Sequence, residues 1–186
     1  MKKGSNPLKD EWNAWEQQGP MTPDRINAFY NQTTNYIYEL AEWHLFVPSK
    51  RESDVALFED MRKKAPKNIL DFGGGVGLLA IPLARAGLDV TLADLDSTTL
   101  GFAVFRAERH DVTLKVWKSD VEPAPPDKKY DVIMCMDVLE CMRPDKLAGD
   151  RTATDAFDIH HSLKGLDKSP SVACVGIDSN LQGKRA

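Results

Sequence analysis

The sequence predicts an α/β domain: a doubly wound, mostly parallel sheet of about five strands with helices ahead of it. Three observations carry that prediction. From residue 68 onward, short apolar runs of strand length alternate with segments of helical apolar spacing, as in strands joined by right-handed crossovers. Four glycines inside "NILDFGGGVGLLAIPLA", residues 68–84, fall where the first strand should turn into a helix. The run "YDVIMCM", 130–136, is apolar at nearly every position, as a strand covered on both faces is.

Each element follows from local signals. Residues 1–20 are polar and open on Gly4, Ser5, Asn6 and Pro7. Trp12 and Trp15, three apart, allow a short amphipathic turn, and a flexible tail is the other reading. Thr22-Pro23-Asp24 is a helix start, a hydroxyl cap followed by proline at the first helical position. Apolar groups from Ile26 to Leu45 then recur at helical spacing, as one helix or two, until Pro48 ends the block. A second helical segment covers 53–64, with Val55, Leu57, Phe58 and Met61.

The sheet begins with a strand at 68–72, followed by the glycines and a helix at 76–86 that Gly87 closes. Pro82 disturbs that helix. Strands are expected at 88–93, 112–117, 130–136 and 172–177, with a helix over 97–109. The alternation at 112–117 suits an edge strand, and the uniform apolarity of 130–136 a central one. Residues 155–163 read as helical and 168–171 as a loop. The resulting division is a tail at 1–20, one domain at 21–178 whose segment 21–64 forms a helical lid, and a tail at 179–186.

Composition narrows the function. With 186 residues, 42% apolar and 28% charged, the chain suits one globular domain. A net charge of -4 provides no excess positive field for nucleic acid. Cys135, Cys141 and Cys174 form no CxxC pair, which favours reduced thiols and a cytoplasmic setting. No apolar run is long enough to span a bilayer, so no membrane is expected. No metal is proposed, because adjacent His160 and His161 point about 100° apart on a helix and lack partner ligands at suitable spacing.

Glycines at a strand-to-helix turn let a ligand lie against main-chain N–H groups. Gly75-Val76-Gly77-Leu78-Leu79-Ala80 fits the dinucleotide form, and Asp94 follows Gly75 by 19 positions, near the spacing of a ribose-binding carboxylate. Charge argues the other way. A diphosphate at a helix N-terminus wants no anion beside it, and Asp71 places one there; a ligand with a cationic amino group suits it better.

The stretch Asp71, Gly73, Gly75, Gly77 resembles the D/E-x-G-x-G-x-G motif of class I S-adenosylmethionine-dependent methyltransferases. "VTLADLD" resembles the end of that family's second strand, "KSDVE" the segment after its third, and "YDVIMCMDVLE" its fourth strand and turn. The resemblance covers about residues 65–142 and implies a Rossmann-like fold and S-adenosyl-L-methionine as cofactor. By it, Asp71 faces the methionine ammonium with the turn's main chain, and Asp94, followed by Leu95, takes the ribose hydroxyls. Asp120 accepts from the adenine amino group and Val121 packs on the ring, while Met136 ends the fourth strand beside the ligand. Asp94 or Asp96 is equally suited to cap the helix near Ser97.

The expected activity is methyl transfer to a small-molecule acceptor. An inactive S-adenosylmethionine-binding protein and an NAD(P)-dependent oxidoreductase are the alternatives. An oxygen or nitrogen acceptor needs a base, and the candidates are Asp137, Glu140 and His44. For His44, in "AEWHLF", a packing histidine is the plainer reading. The chain departs from the family in two places. Cys141 stands where many relatives carry histidine, and about five strands replace the family's seven, ordered 3-2-1-4-5-7-6. The fifth strand's free edge then calls for another chain, in a homo-oligomer or with a partner, or for the N-terminal region to cover it.

Overall fold

The computed structural model describes residues 6–119, 130–136, 138 and 171–175. Two helices open in the same way, α1 (Pro7–Glu16) and α2 (Pro23–Gln32). In each, a side-chain oxygen accepts from the main-chain N–H three residues on, Asn6 from Lys9 at 3.0 Å and Thr22 from Arg25 at 3.4 Å, and proline follows the cap. Proline is pre-shaped for that first position and loses no hydrogen bond there. Two more helices, α3 (Asn35–Phe46) and α4 (Pro48–Lys64), meet at Val47, which ends one and begins the other.

The strands β1 (Ile69–Phe72), β2 (Val90–Leu95), β3 (Lys115–Ser119), β4 (Val132–Met136) and β5 (Ser171–Val175) form one sheet in the order β3-β2-β1-β4-β5. Every neighbouring pair is parallel. This is the order with which the family's sheet begins, with β1 at its centre, β4 covered on both sides by β1 and β5, and β3 at an edge, the last two as the sequence predicts. The helices α5 (Ala80–Arg85) and α6 (Thr98–Arg109) link the first three strands.

Alternation along β1 sorts the core. Ile69 joins Leu57 and Met61 of α4, Leu83 of α5 and Leu100 and Ala103 of α6 in one apolar cluster. Leu70 and Phe72 face the other way, with Ala93, Tyr130, Ile133 and Cys135. Because successive side chains alternate, Asp71 shares the face of Ile69 and looks toward the α4 and α5 side. Its register partners are Leu92 on β2 and Met134 on β4.

Several predicted boundaries shift, each for a physical reason. The expected tail at 1–20 contains α1, whose Trp12 and Trp15 meet the Phe29 ring edge to face at 5.1 and 5.6 Å. The helical block ahead of Pro48 is two helices, broken at Thr33 and Thr34. The next helix starts at Pro48 rather than 53, since the proline that stops one helix opens another. The helix predicted at 76–86 shrinks to α5, because Gly77 holds a left-handed φ of 72° just before it. Pro82 then lies in the first turn of α5, where a missing N–H costs little. The second strand extends to Leu95 and includes Asp94, and the third begins at Lys115. Ser171, expected in a loop, begins β5, and the regions 122–129, 155–163 and 168–170 and the tail 179–186 lie outside the described residues.

Candidate active site

The turn after β1 is built around Asp71 and the end of β2. Gly73, Gly75 and Gly77 all take positive φ, 67°, 54° and 72°. Gly74 does not, and is constrained by space: a Cβ there would strike Leu92 and lie 2.6 Å from Asp71 Oδ2. The turn is sewn to the sheet by Gly73 N–H, which donates to Ala93 O at 2.7 Å, and by Gly75 N–H, which donates to Asp94 Oδ2 at 2.7 Å. Asp94 Oδ1 accepts from Leu95 N–H, also at 2.7 Å. Burial raises the Asp94 carboxyl above the ordinary range, and the Gly75 and Leu95 N–H groups oppose that rise.

Asp71 is 3% exposed, and its Oδ2 has no hydrogen-bond partner among the described residues. Burial, then the neighbouring charge of Asp94, pushes its pKa up to about 7, against the pull of an Ala80 main-chain hydrogen bond and the Lys50 charge. A buried carboxyl oxygen left without a donor is costly, and such groups gather where a cation or donor is to be received.

The N-terminal helices cover this end of the sheet. Leu40 of α3 lies over the turn, with its Cδ1 3.2 Å from where a Gly75 Cβ would stand. Thr98 Oγ1 donates to Thr33 O at 2.7 Å, tying α6 to the break between α2 and α3. One turn beyond Leu40, His44 Nδ1 meets Asp54 Oδ2 at 2.6 Å, and the other Asp54 oxygen lies 3.0 Å from Lys50 Nζ. Burial pulls the Asp54 carboxyl up, but the His44 hydrogen bond and the ion pairing with Lys50 outweigh it and leave it below the ordinary value.

The structure thus brings Asp71, Gly73, Gly75, Gly77, Asp94 and Leu95 together at one turn. Met136 ends β4 and packs against the cluster that contains Ile69. Asp120, Val121, Asp137 and Glu140 lie outside the described residues, as do Cys141, His160 and His161. Sequence reasoning missed Gly74, Leu40, Lys50 and Asp54. A signal for the last two existed: residues 50, 54, 57 and 61 form one helical stripe, whose lower half is Leu57 and Met61 in the core. Charged residues on a core stripe mark either a buried ion pair or a site.

A family profile described as a methyltransferase domain matches residues 40–148. The chain belongs to that family. Ubiquinone biosynthesis O-methyltransferases of two species are similar to part of the chain: that of Rickettsia typhi is 38% identical over 72 residues, 39% of this chain and 29% of the relative. That of Rickettsia conorii is 38% identical over 86 residues, 46% of this chain and 30% of the relative. The matched stretch therefore spans about three tenths of those relatives. Magnesium protoporphyrin IX methyltransferase from Synechocystis, solved with bound S-adenosylmethionine, superposes with a TM-score of 0.55 at 20% identity, over 78% of this chain and 72% of that one. The N-methyltransferase NodS from Bradyrhizobium japonicum gives 0.50 at 20% identity, over 70% and 63%. These likenesses establish the Rossmann-like methyltransferase fold for this member of the family.

Proposed function

We propose that the protein transfers a methyl group from S-adenosyl-L-methionine to a hydroxyl of a small molecule. The observation that carries this reading is the unpartnered Oδ2 of buried Asp71, set beneath a glycine turn that Asp94 grips from the next strand. A cationic ammonium satisfies that oxygen and a diphosphate repels it, which separates this donor from a dinucleotide. Membership of the methyltransferase-domain family supports the same choice. The hydroxyl acceptor is suggested by the O-methyltransferase relatives.

The residues present fit the donor. Asp71 and the turn's main chain would take its amino-acid end, and Asp94 its ribose hydroxyls, since each carboxylate oxygen offers two lone pairs and only one is taken by Gly75 or Leu95. Asp120 and Val121 would receive the adenine, and Leu95 and Met136 would flank the ligand. When bound, S-adenosylmethionine supplies an electrophilic methyl on a sulfonium whose departure as neutral thioether needs no acid. The chain's work is then to align the acceptor and remove its proton. Asp137, Glu140 and His44 are the proposed groups for that proton. The helices of residues 21–64 are assigned to the acceptor side, and a cytoplasmic location goes with the reading.

Calorimetry tests it. S-adenosylhomocysteine should bind and NADH should not; binding of NADH alone would reverse the assignment. Asp94→Ala should weaken S-adenosylhomocysteine by about 1.5–3 kcal/mol, the range for hydrogen bonds to a charged group. Labelled donor incubated with catechol and other small hydroxyl compounds distinguishes an enzyme from an inactive binder.

A further inference from the structure

Beyond the donor site, one enclosed charged cluster lies in the helical layer. His44, Asp54 and Lys50 form a chain of contacts, 2.6 Å from Nδ1 to Oδ2 and 3.0 Å from Oδ1 to Nζ. All three side chains are largely enclosed, at 17%, 14% and 6% exposure. Enclosed ion pairs are seldom more stable than apolar packing of equal volume, so their presence points to use.

Three observations place the cluster beside the glycine turn. His44 lies four residues after Leu40, hence on the same helix face, and Leu40 sits against Gly75. Lys50 and Asp54 occupy the α4 stripe that continues into Leu57 and Met61, which pack with Ile69 on the Asp71 face of the sheet. The charges of both Lys50 and Asp54 are felt at Asp71.

We infer that His44 is the base that takes the acceptor's hydroxyl proton, with Asp54 as its positioning residue and Lys50 as the anchor of Asp54. An ionised Asp54 only accepts, so Nδ1 carries a hydrogen, and in the neutral ring Nε2 keeps the lone pair. Nε2 has no hydrogen-bond partner among the described residues. As the acceptor oxygen bonds to the methyl carbon, its proton passes to Nε2. The carbon–sulfur bond breaks and its electron pair stays on sulfur. The imidazolium formed lies against Asp54, and its proton returns to solvent. Of the three candidate bases this selects His44 over Asp137 and Glu140, and it rests on the methyl-transfer reading above.

Ring-nitrogen NMR and steady-state kinetics with catechol test the inference. Wild-type His44 should carry its hydrogen on Nδ1. Asp54→Asn, whose amide donates to Nδ1, should move the hydrogen to Nε2, lower kcat at least about tenfold and leave S-adenosylhomocysteine affinity within about twofold. Asp54→Glu should restore part of the rate. Should Asp54→Asn unfold because Lys50 loses its partner, His44→Gln keeps a donor toward Asp54 and should lower kcat about 100-fold or more. A hydrogen on Nε2 in the wild type or an undiminished rate in His44→Gln overturns the inference alone, whereas donor binding without methylation of catechol or any other small hydroxyl compound overturns the methyl-transfer reading and the inference with it. Failure of S-adenosylhomocysteine to bind the wild type overturns the methyl-transfer reading itself, and the role of His44 with it.

Discussion

At the scale of single residues, Asp71 is a group that burial has moved far from ordinary behaviour. The folded carboxyl holds its proton to about pH 7, while in the unfolded chain it ionises near 3.8. Between those values the folded state binds more protons, so stability from this group is complete below the lower pKa and is lost as pH rises toward the upper one. Above about pH 7 no further loss occurs. At 1.36 kcal/mol per unit, the loss is at most about 4 kcal/mol. Urea denaturation at pH 5 and pH 8 should show the wild type losing stability between them, and Asp71→Asn should flatten the difference. An equal slope in both proteins would mean that Asp71 is ionised in the fold. Gly74→Ala offers a second check: its methyl group collides with Leu92 and the Asp71 carboxyl, and overpacking of this kind costs about 1–3 kcal/mol, read as a lower urea midpoint.

At the scale of elements, caps account for much of what the sequence reveals and for what it hides. Ser97 Oγ accepts from Leu100 N–H at 3.3 Å and opens α6, so Ser97→Ala should cost about 1 kcal/mol in thermal or urea unfolding. Asp94 suited that capping role equally well on sequence grounds, but the structure gives the cap to Ser97 and turns Asp94 to the Gly75 N–H. Asn6-Pro7 repeats the signal that makes Thr22-Pro23 readable, yet the polar residues around it mask the helix, because α1 is held through Trp12 and Trp15 rather than through a continuous apolar stripe. Pro48 carries two meanings, stop and start, and spacing alone cannot rank them. The strand tips at Asp71 and Asp94 were legible because a parallel sheet fixes where successive strands end. The approach of His44 to Asp54 was not, since it depends on the angle between two helices, which no local pattern states.

At the scale of the whole molecule, the described residues divide into a sheet layer and a helical layer, joined where Leu57 and Met61 of α4 enter the sheet's core and where Thr98 meets Thr33. Phe29 is the centre of the helical layer, 1% exposed and ringed by Trp12, Trp15 and Tyr30. Thr33, also buried, donates to Glu11 at 2.6 Å while its carbonyl receives Thr98. Phe29→Ala should therefore cost about 3–5 kcal/mol and expose the α1–α3 segment to protease before the sheet; cleavage at unchanged rate would show that the aromatic cluster is not what fastens the layer.

Val47 alone forms the corner between α3 and α4. Leu57 and Met61 of the same α4 stripe are packed with Ile69, and a single alanine that lengthened either helix there would turn it by about 100° and part His44 from Lys50 and Asp54. The joint acts as a set-square for the proton-handling groups. Natural variants that lengthen it by one residue should have lost the imidazole's companion.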